Sequence, residues 1–279
     1  MSWVRRGITS LILVIVLALA ILFGGSALVM RRSVDAELPR IKALTDPANI
    51  IEGARLSGIM GCTSCHGPMV RGRLLTGVPW LGQIVAPSLP EVAAQATDEQ
   101  IARAIRNGVG IDARPMFIMP SDAFNHLSDD DVARLIGWIR SLPTTAFDVV
   151  GRTPVGVRGR FAILTRQLPD SVTLVRDQSP HRPADIGRYL AQTSCGQCHA
   201  LDQDRKLGVG DVAPALARAG TGYDAPALAV LLRTGKAKGN RAAPMMGAAS
   251  AGGLGQLSDA EIGAIDTYLK ALPGRHPAH

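Results

Sequence analysis

The pentapeptide Cys62-Thr63-Ser64-Cys65-His66 recurs 133 residues later as Cys195-Gly196-Gln197-Cys198-His199. Landmarks on the C-terminal side of each pentapeptide recur at nearly the same spacing. The matching stretches are 85–89 with 212–216, 106–108 with 233–235, 127–129 with 257–259, and 138–143 with 268–273. Self-similarity of this kind indicates an internal duplication. We therefore predict two copies of one structural unit, at residues 48–143 and 185–273.

Each copy has the sequence pattern of a helical domain. Thr97–Gly108 and Ala225–Gly235 both end in glycine, the residue that most often closes a helix. Ser128 and Ser258 precede acidic residues, which is typical of a helix N-terminus because the serine accepts a backbone N–H and the acids complement the helix dipole. No stretch in either copy alternates between apolar and polar residues as a strand does. The sequence predicts an all-α protein, with an N-terminal transmembrane helix followed by two helical domains.

The spacing Cys-x-x-Cys-His is the attachment signature for c-type haem. Two thiols one helical turn apart can each form a thioether to a haem vinyl group, and the adjacent imidazole then faces the iron. Zinc does not explain why histidine follows both cysteine pairs, and a redox-active dithiol needs a βαβ context that the sequence lacks. We therefore predict two covalently bound haems c. The predicted attachment residues are Cys62, Cys65, Cys195 and Cys198.

Each copy resembles a class I cytochrome c domain, and the whole chain resembles the membrane-anchored dihaem cytochromes c of bacterial respiratory chains. The resemblance rests on the pentapeptide, the Ala-Pro-x-Leu segment after it, a Met-Pro segment and the final Leu-Ser-Asp helix. It implies two cytochrome c-like domains, each with a haem held between its first and last helices. A ring in that position would supply much of the core, which fits a chain with only 4% aromatic residues.

The resemblance also implies the iron ligand on one side of each ring, His66 in the first copy and His199 in the second. In the family a proline carbonyl orients this histidine, and a metal-bound histidine is generally held by a hydrogen bond from its other ring nitrogen. Pro87 and Pro214 lie in the matching segments. The alternative is that each is an ordinary turn proline.

The second axial ligand has two methionine candidates in each copy: Met116 or Met119, and Met245 or Met246. Met119 and Met246 are 127 residues apart, the offset already set by the matched proline and arginine positions. Proline follows Met119, as in the family, whereas Gly247 follows Met246 and a Gly/Ala-rich loop is expected after it. A sulfur ligand favours ferrous iron and raises the potential relative to a second imidazole. We predict Met119 and Met246 as ligands, and we expect the alternative ligand His126 to lie at the surface, like His181.

The N-terminal segment carries no charged residue from Gly7 to Met30. A helix of that length, at about 1.5 Å per residue, is about 36 Å long and can cross a hydrocarbon core of about 30 Å. Arg5 and Arg6 precede the segment, as in an export signal, and a cleaved signal peptide is the alternative to an uncleaved anchor. Both interpretations place the rest of the chain in the periplasm, beside the bacterial inner membrane. The predicted segments are an anchor at residues 1–32 and a juxtamembrane linker at residues 33–47.

The net charge of +7 is unevenly distributed. The excess of basic residues lies in residues 1–47 and in a connector at residues 144–184. A nucleic-acid-binding protein would concentrate positive charge on a folded face, so we exclude that class. The connector is either a strap packed across both domains or a surface for anionic lipid headgroups or an acidic partner. Its arginines include Arg152, Arg158, Arg160 and Arg166, and residues 274–279 form a C-terminal tail.

An iron that binds both histidine and methionine has no position left for a substrate. The resemblance therefore implies an electron-transfer protein that is not itself an enzyme. Its redox partners would be a dehydrogenase as donor and a downstream cytochrome or oxidase as acceptor, and the membrane would hold it through the N-terminal helix. A dihaem cytochrome c peroxidase is the alternative, because it also carries two Cys-x-x-Cys-His motifs, but it needs an iron that can open to peroxide.

Overall fold

The computed structural model describes residues 2–75, 84–145, 148–151, 153–174, 179–207 and 211–272. Three features expected from the sequence lie outside these ranges. They are the C-terminal tail at residues 274–279, Pro273 at the end of the second domain, and Arg152 in the connector.

The N-terminal part of the chain is one long apolar helix. It consists of α1 (Ser2–Ala20), a single π-helical turn (Ile21–Gly25) and α2 (Ser26–Arg31). The mean hydropathy within Trp3–Arg31 reaches 2.9, and the side chains from residue 3 to residue 21 are all exposed. By length and composition this helix fits either a membrane anchor or a signal peptide.

The first repeat is built from helices whose ends follow the expected pattern. Its helices are α3 (Pro47–Ile59), α4 (Cys62–His66), α5 (Leu89–Gln95), α6 (Asp98–Asn107), α7 (Ser121–Phe124) and α8 (Asp129–Ser141). Thr97 and Gln100 form a capping box at the start of α6, and Gly108 closes that helix in the left-handed conformation. Ser128 accepts a hydrogen bond from the backbone N–H of Asp131 and so caps α8.

The connector packs along the first domain and contains a short helix of its own, α9 (Val157–Leu164). This helix lies against the end of the N-terminal helix. Further along, the backbone N–H of Ser171 donates to the carbonyl oxygen of Met116 at 2.7 Å, and the carbonyl oxygen of Ser179 accepts from Asp129 at 2.9 Å. The described part of the connector is therefore tied to the first domain by backbone hydrogen bonds.

The second repeat contains the same sequence of capped helices with one difference. Its helices are α10 (Ile186–Thr193), α11 (Leu216–Gly222), α12 (Ala225–Thr234), α13 (Pro244–Gly252) and α14 (Asp259–Ala271). Asp224 caps α12, Gly235 closes it, and Ser258 with Glu261 forms a capping box on α14. The expected Gly/Ala-rich loop is wrong, because that stretch forms α13. Alanine is the best helix former, and Pro244 is well suited to the first turn.

Small antiparallel hairpins interrupt the helices. The strand pairs are β1 (Arg73–Leu75) with β2 (Ile84–Ala86), β3 (Arg205–Leu207) with β4 (Asp211–Ala213), and β5 (Lys236–Ala237) with β6 (Arg241–Ala242). Strands of two or three residues are too short to produce a readable alternation of apolar and polar residues. The all-α prediction is therefore confirmed, with these hairpins as a minor addition.

In each repeat the first helix crosses the last helix at a glycine. α3 packs against α8, and α10 packs against α14. A Cβ atom on Gly53 would lie 2.2 Å from the backbone oxygen of Arg134, and one on Gly187 would lie 2.1 Å from that of Ala264. These distances are far inside van der Waals contact, so only glycine allows the two backbones to approach this closely. Each pentapeptide follows directly after the first helix, and the crossing therefore fixes its position in the domain.

We expect Gly53→Ala and Gly187→Ala to destabilise the folded protein by about 3 kcal/mol each, because an added methyl group forces two packed helices apart. Gly263→Ala is the matched control, since a Cβ at this position on α14 would meet nothing within 4 Å. That change should be neutral or stabilise by up to about 1 kcal/mol, the helix-propensity difference. Urea unfolding followed by circular dichroism measures all three. Equal midpoints for Gly187→Ala and Gly263→Ala would refute the packing argument.

Candidate haem sites

The first pentapeptide forms a short helix directly after α3. Gly61 turns the chain in the left-handed conformation, with φ of 69°, which costs glycine no steric penalty. α4 then makes little more than one turn, and Cys62 and Cys65, three residues apart, lie on one helical face. Cys62 is half-buried against the hydrophobic core, Cys65 is exposed, and both thiols are free.

The second pentapeptide repeats this arrangement with a tighter turn. A 3₁₀ turn (Cys195–Gln197) follows α10. The backbone N–H groups of Cys198 and His199 both donate to the carbonyl oxygen of Cys195, at 3.1 and 2.9 Å. Cys195 is half-buried against the core, Cys198 is exposed, and both are free. In both motifs the first cysteine is therefore the more buried of the two.

A proline carbonyl orients the histidine of each motif. The Nδ1 atom of His66 lies 2.7 Å from the carbonyl oxygen of Pro87, and the Nδ1 atom of His199 lies 2.7 Å from that of Pro214. Because a carbonyl oxygen can only accept, Nδ1 carries the proton in each ring and the Nε2 lone pair is available to a metal. Burial also holds the pKa of His66 below its usual value, which favours the neutral imidazole that binds iron.

The four candidate methionines have different surroundings. Met119 and Met246 are half-buried and pack against the hydrophobic core. Met245 is exposed over 52% of its surface. The backbone of Met116 is fixed by a hydrogen bond from its N–H to the carbonyl oxygen of Gly108, at 2.8 Å. Met119 and Met246 are thus the better placed candidates, and their role as iron ligands stays a prediction.

The backbone around the two predicted methionine ligands differs between the domains. Met119 lies in the bend before α7, whereas Met246 lies inside α13. A Cβ atom on Gly235 would lie 2.2 Å from the Cα of Gly247, so the residue after Met246 is pressed against the end of α12. The N–H of Gly247 also donates to Ala243 at 2.7 Å. A proline at position 247 would lose this hydrogen bond and would not fit, which explains the departure from the Met-Pro pattern.

The thiols and imidazoles form a donor set that fits haem c better than zinc. Burial raises the pKa of Cys62 to about 12 and that of Cys195 to about 11, and it also raises the pKa values of Cys65 and Cys198. Zinc binds thiolates, which these surroundings disfavour. Moreover, nowhere in the described ranges do three His, Cys, Asp or Glu side chains group as metal ligands. Protonated thiols beside an imidazole with its proton on Nδ1 are the groups that haem attachment requires.

A further matched pair of arginines supports the motifs. A guanidinium N–H of Arg73 donates to the carbonyl oxygen of Ser64 at 3.3 Å, and one of Arg205 donates to that of Gly196 at 3.0 Å. These arginines begin β1 and β3, the first strands of the hairpins that follow the motifs. They are 132 residues apart, within one position of the pentapeptide offset. The repeat alignment could have found them, although the motif alone does not reveal them.

The two histidines considered as alternatives have other surroundings. His181 is exposed, and its Nδ1 atom lies 2.7 Å from the Asp130 carboxylate, so the expectation of a surface position is met. His126 is half-buried between α7 and α8 rather than fully at the surface. Its position just before Ser128, the buried cap of α8, accounts for this difference.

The two pentapeptides lie where the domains meet. The side-chain amide of Gln197, inside the second motif, donates to the carbonyl oxygen of Met60, just before the first motif, at 3.0 Å. The pKa of Cys65 is raised mainly by burial and further by Cys198, so these two thiols lie within electrostatic reach of each other. Each motif is therefore in contact with the opposite domain.

A buried ionic network fixes the domains and the connector to one another. The fully buried carboxylate of Asp131 accepts from Arg182 of the connector at 2.6 Å and from the Tyr189 hydroxyl of the second domain at 2.7 Å. Arg182 also donates to Glu52 at 2.7 Å. The guanidinium of Arg55, together with that of Arg182, holds the pKa of Glu52 at about 2. Because separation of the domains would leave a buried carboxylate short of partners, the network opposes it.

A model of the cytochrome c family matches residues 50–143 and 184–273, well over half of the chain. The chain belongs to the cytochrome c family. This result confirms the resemblance that the repeated motifs suggest. Cytochrome c domains carry covalently bound haem c, and this cytochrome is accordingly an electron-transfer protein rather than an enzyme.

A curated relative agrees with this assignment. The cytochrome is 29% identical, over 260 residues, to the fructose dehydrogenase cytochrome subunit of Gluconobacter japonicus. The alignment covers 81% of this cytochrome and 53% of the relative, so the chain spans about half the length of that protein. Neither the family match nor this relative supports the peroxidase alternative.

Proposed function

We propose that this cytochrome carries two haems c and passes single electrons from a dehydrogenase to a downstream cytochrome or oxidase. The observation that carries the proposal is a repeated geometry. Each of two Cys-x-x-Cys-His motifs has a histidine whose Nδ1 atom lies 2.7 Å from a proline carbonyl oxygen. A chain that bound one haem would need this arrangement only once, so its duplication supports one haem in each domain.

We assign five residues to each haem. In the first domain they are Cys62, Cys65, His66, Pro87 and Met119, and in the second they are Cys195, Cys198, His199, Pro214 and Met246. When bound, the iron exchanges one electron between its ferric and ferrous states. The cysteines tether the group, the histidine and methionine bind it from opposite sides, and the proline carbonyl holds the imidazole in one orientation. A side chain held in this way need not move when the charge changes.

The proposed ligand set leaves no position for a substrate in either domain. Met119 and Met246 already pack inward against the core, which supports their assignment. An occupied sixth position excludes peroxide and organic molecules from direct contact with the metal. The cytochrome would therefore exchange electrons without carrying out chemistry on a bound molecule.

Contact between the two motifs supports transfer of electrons from one domain to the other. Gln197 bridges to the residue before the first motif, and the Cys65 and Cys198 thiols lie within electrostatic reach of each other. The ionic network around Asp131 holds the two domains in this arrangement. A fixed approach between the motifs would let one domain receive electrons and the other release them.

The donor and the location follow from the relative and from the N-terminal helix. The relative is named as the cytochrome subunit of a dehydrogenase, which supports a dehydrogenase as the donor for this chain. The apolar helix, exposed from residue 3 to residue 21, supports an uncleaved single-pass anchor in the bacterial inner membrane. Haem c domains beyond such an anchor would lie in the periplasm, where the acceptor would also be found.

Anaerobic reductive titration of the purified full chain tests the proposed function. We expect the chain to take up two electrons, because each domain holds one iron. The oxidised protein should show the long-wavelength methionine-to-iron charge-transfer band, and the reduced protein should be reoxidised rapidly by an added soluble cytochrome c. Hydrogen peroxide should oxidise it far more slowly. Uptake of a single electron, or peroxide turnover as fast as reoxidation by cytochrome c, would contradict the proposal.

A further inference from the structure

The connector helix α9 is docked on the end of the N-terminal helix by specific contacts. The Arg160 guanidinium donates to the Ser26 hydroxyl at 2.9 Å and lies 5.0 Å from the centre of the Phe23 ring. A Cβ atom on Gly25 would lie 3.2 Å from the Leu164 side chain, so the glycine allows this close approach. These contacts fix α9 at one height along the N-terminal helix.

That height coincides with a change in the surroundings of the N-terminal helix. From residue 3 to residue 21 every side chain is exposed, whereas Ser26 is fully buried by the rest of the protein. Trp3 and Phe23 are separated by about 30 Å at about 1.5 Å per residue, which equals the thickness of a hydrocarbon core. Aromatic side chains are enriched at the two membrane interfaces. Phe23, and with it α9, would therefore lie where the hydrocarbon ends.

The outer face of α9 has the composition of an interfacial helix. Gly159, Ala162 and Ile163 are buried against the protein. Val157 and Phe161, one turn apart on the opposite face, are exposed over 56% and 54% of their surfaces. Arg158 and Arg166 are exposed beside them, and no acidic residue occurs in α9. Apolar side chains flanked by arginines suit the boundary between acyl chains and phosphate groups.

We propose that α9 lies in the membrane interface and forms a second attachment to the bilayer beside the N-terminal helix. Val157 and Phe161 enter the boundary between headgroups and acyl chains, and Arg158 and Arg166 face lipid phosphates. The inference rests on the proposed anchoring of the N-terminal helix. A lipid surface is the favoured occupant because the exposed face continues directly from the bare part of that helix.

This attachment would limit how the haem domains move above the membrane. A single helix followed by a linker would let the domains rotate about the helix axis. With α9 held on the bilayer as well, the rotation is restricted. The ion pair between Arg32 and Asp170, 2.7 Å apart, ties the end of the N-terminal helix to the connector beyond α9 and works in the same direction. The same face of the cytochrome would then always point toward partners on the membrane.

Photo-crosslinking in lipid nanodiscs tests the inference on the haem-loaded full chain. The probe is a phospholipid with a photoreactive group near the headgroup end of its acyl chain, in a bilayer of phosphatidylcholine and phosphatidylglycerol. Mass spectrometry then locates the lipid adducts. We expect adducts on the peptide that carries Val157 and Phe161 as well as on the N-terminal helix. The double variant Val157→Ser/Phe161→Ser should lose at least about four fifths of the adducts on α9.

Val230→Ser is the matched control, since Val230 is exposed over 50% of its surface on α12 of the second domain. That variant should label α9 as strongly as the unchanged chain. Adducts on the N-terminal helix but none on α9 of the unchanged chain would overturn the inference and leave the anchoring intact. Adducts on neither segment would overturn the anchoring and the inference together. These readouts do not depend on electron transfer, so they also separate this inference from the redox proposal.

Discussion

The double variant Cys195→Ala/Cys198→Ala should carry one haem per chain instead of two. Removal of both thiols leaves nothing in the second domain to form a thioether, while the first domain keeps Cys62 and Cys65 in an unchanged short helix. The electrons taken up in a reductive titration should fall from two to one for the same reason. Intact-protein mass spectrometry measures the change directly, because the mass should decrease by that of one porphyrin together with the two sulfur atoms.

The reciprocal variant Cys62→Ala/Cys65→Ala provides the control. It should also retain one haem, now in the second domain, since the two motifs belong to separate helical frames. Ser64→Ala changes an exposed residue between the first pair of cysteines and should keep both haems. A Cys195→Ala/Cys198→Ala chain that still carries two covalent porphyrins would show that these thiols are not the attachment points. Loss of both haems in either variant would show that the domains do not load independently.

The parts of the fold that the sequence predicts correctly are those set by local chemistry. Thr97, Ser128, Gly108 and Gly235 act at helix ends through their own side chain or backbone, so a few neighbouring letters determine their role. The duplication extends such local signals to both domains. The family match agrees with the two regions that the repeat picks out.

The parts that the sequence does not predict depend on what lies far away in the chain. Nothing beside Gly53 or Gly187 shows that another backbone passes 2.2 or 2.1 Å from the missing Cβ. The partner of Asp131 is in the connector, 51 residues later, and its other partner is in the second domain. Docking of α9 on Phe23 and Ser26 joins segments more than 130 residues apart. Pattern reasoning sees periodicity within one element, whereas these contacts are set by how elements pack.

Met119→Ala should lower the midpoint potential of one haem and leave the other unchanged. The thioether sulfur favours ferrous iron, so its loss favours the ferric form. We expect a decrease on the order of 0.2 V, a part of the range of about 0.8 V over which axial ligands set haem potentials. The charge-transfer band should lose about half its intensity, and the altered domain should bind carbon monoxide. A spectroelectrochemical titration measures the potential and the band in one experiment.

Met116→Ala is the matched control in the first domain, and Met245→Ala has the same role beside Met246→Ala in the second. Both controls should leave the potentials and the band unchanged, because Met245 is exposed and Met116 is held through its backbone. Met246→Ala should give a decrease as large as Met119→Ala, although Met246 lies in a helix and no proline follows it. The close contact between Gly235 and Gly247 fixes the backbone there as firmly as Pro120 does after Met119. If Met245→Ala lowered a potential and Met246→Ala did not, the offset of 127 would be the wrong guide to the second ligand, and the position of Met246 against the core would have a purely structural meaning.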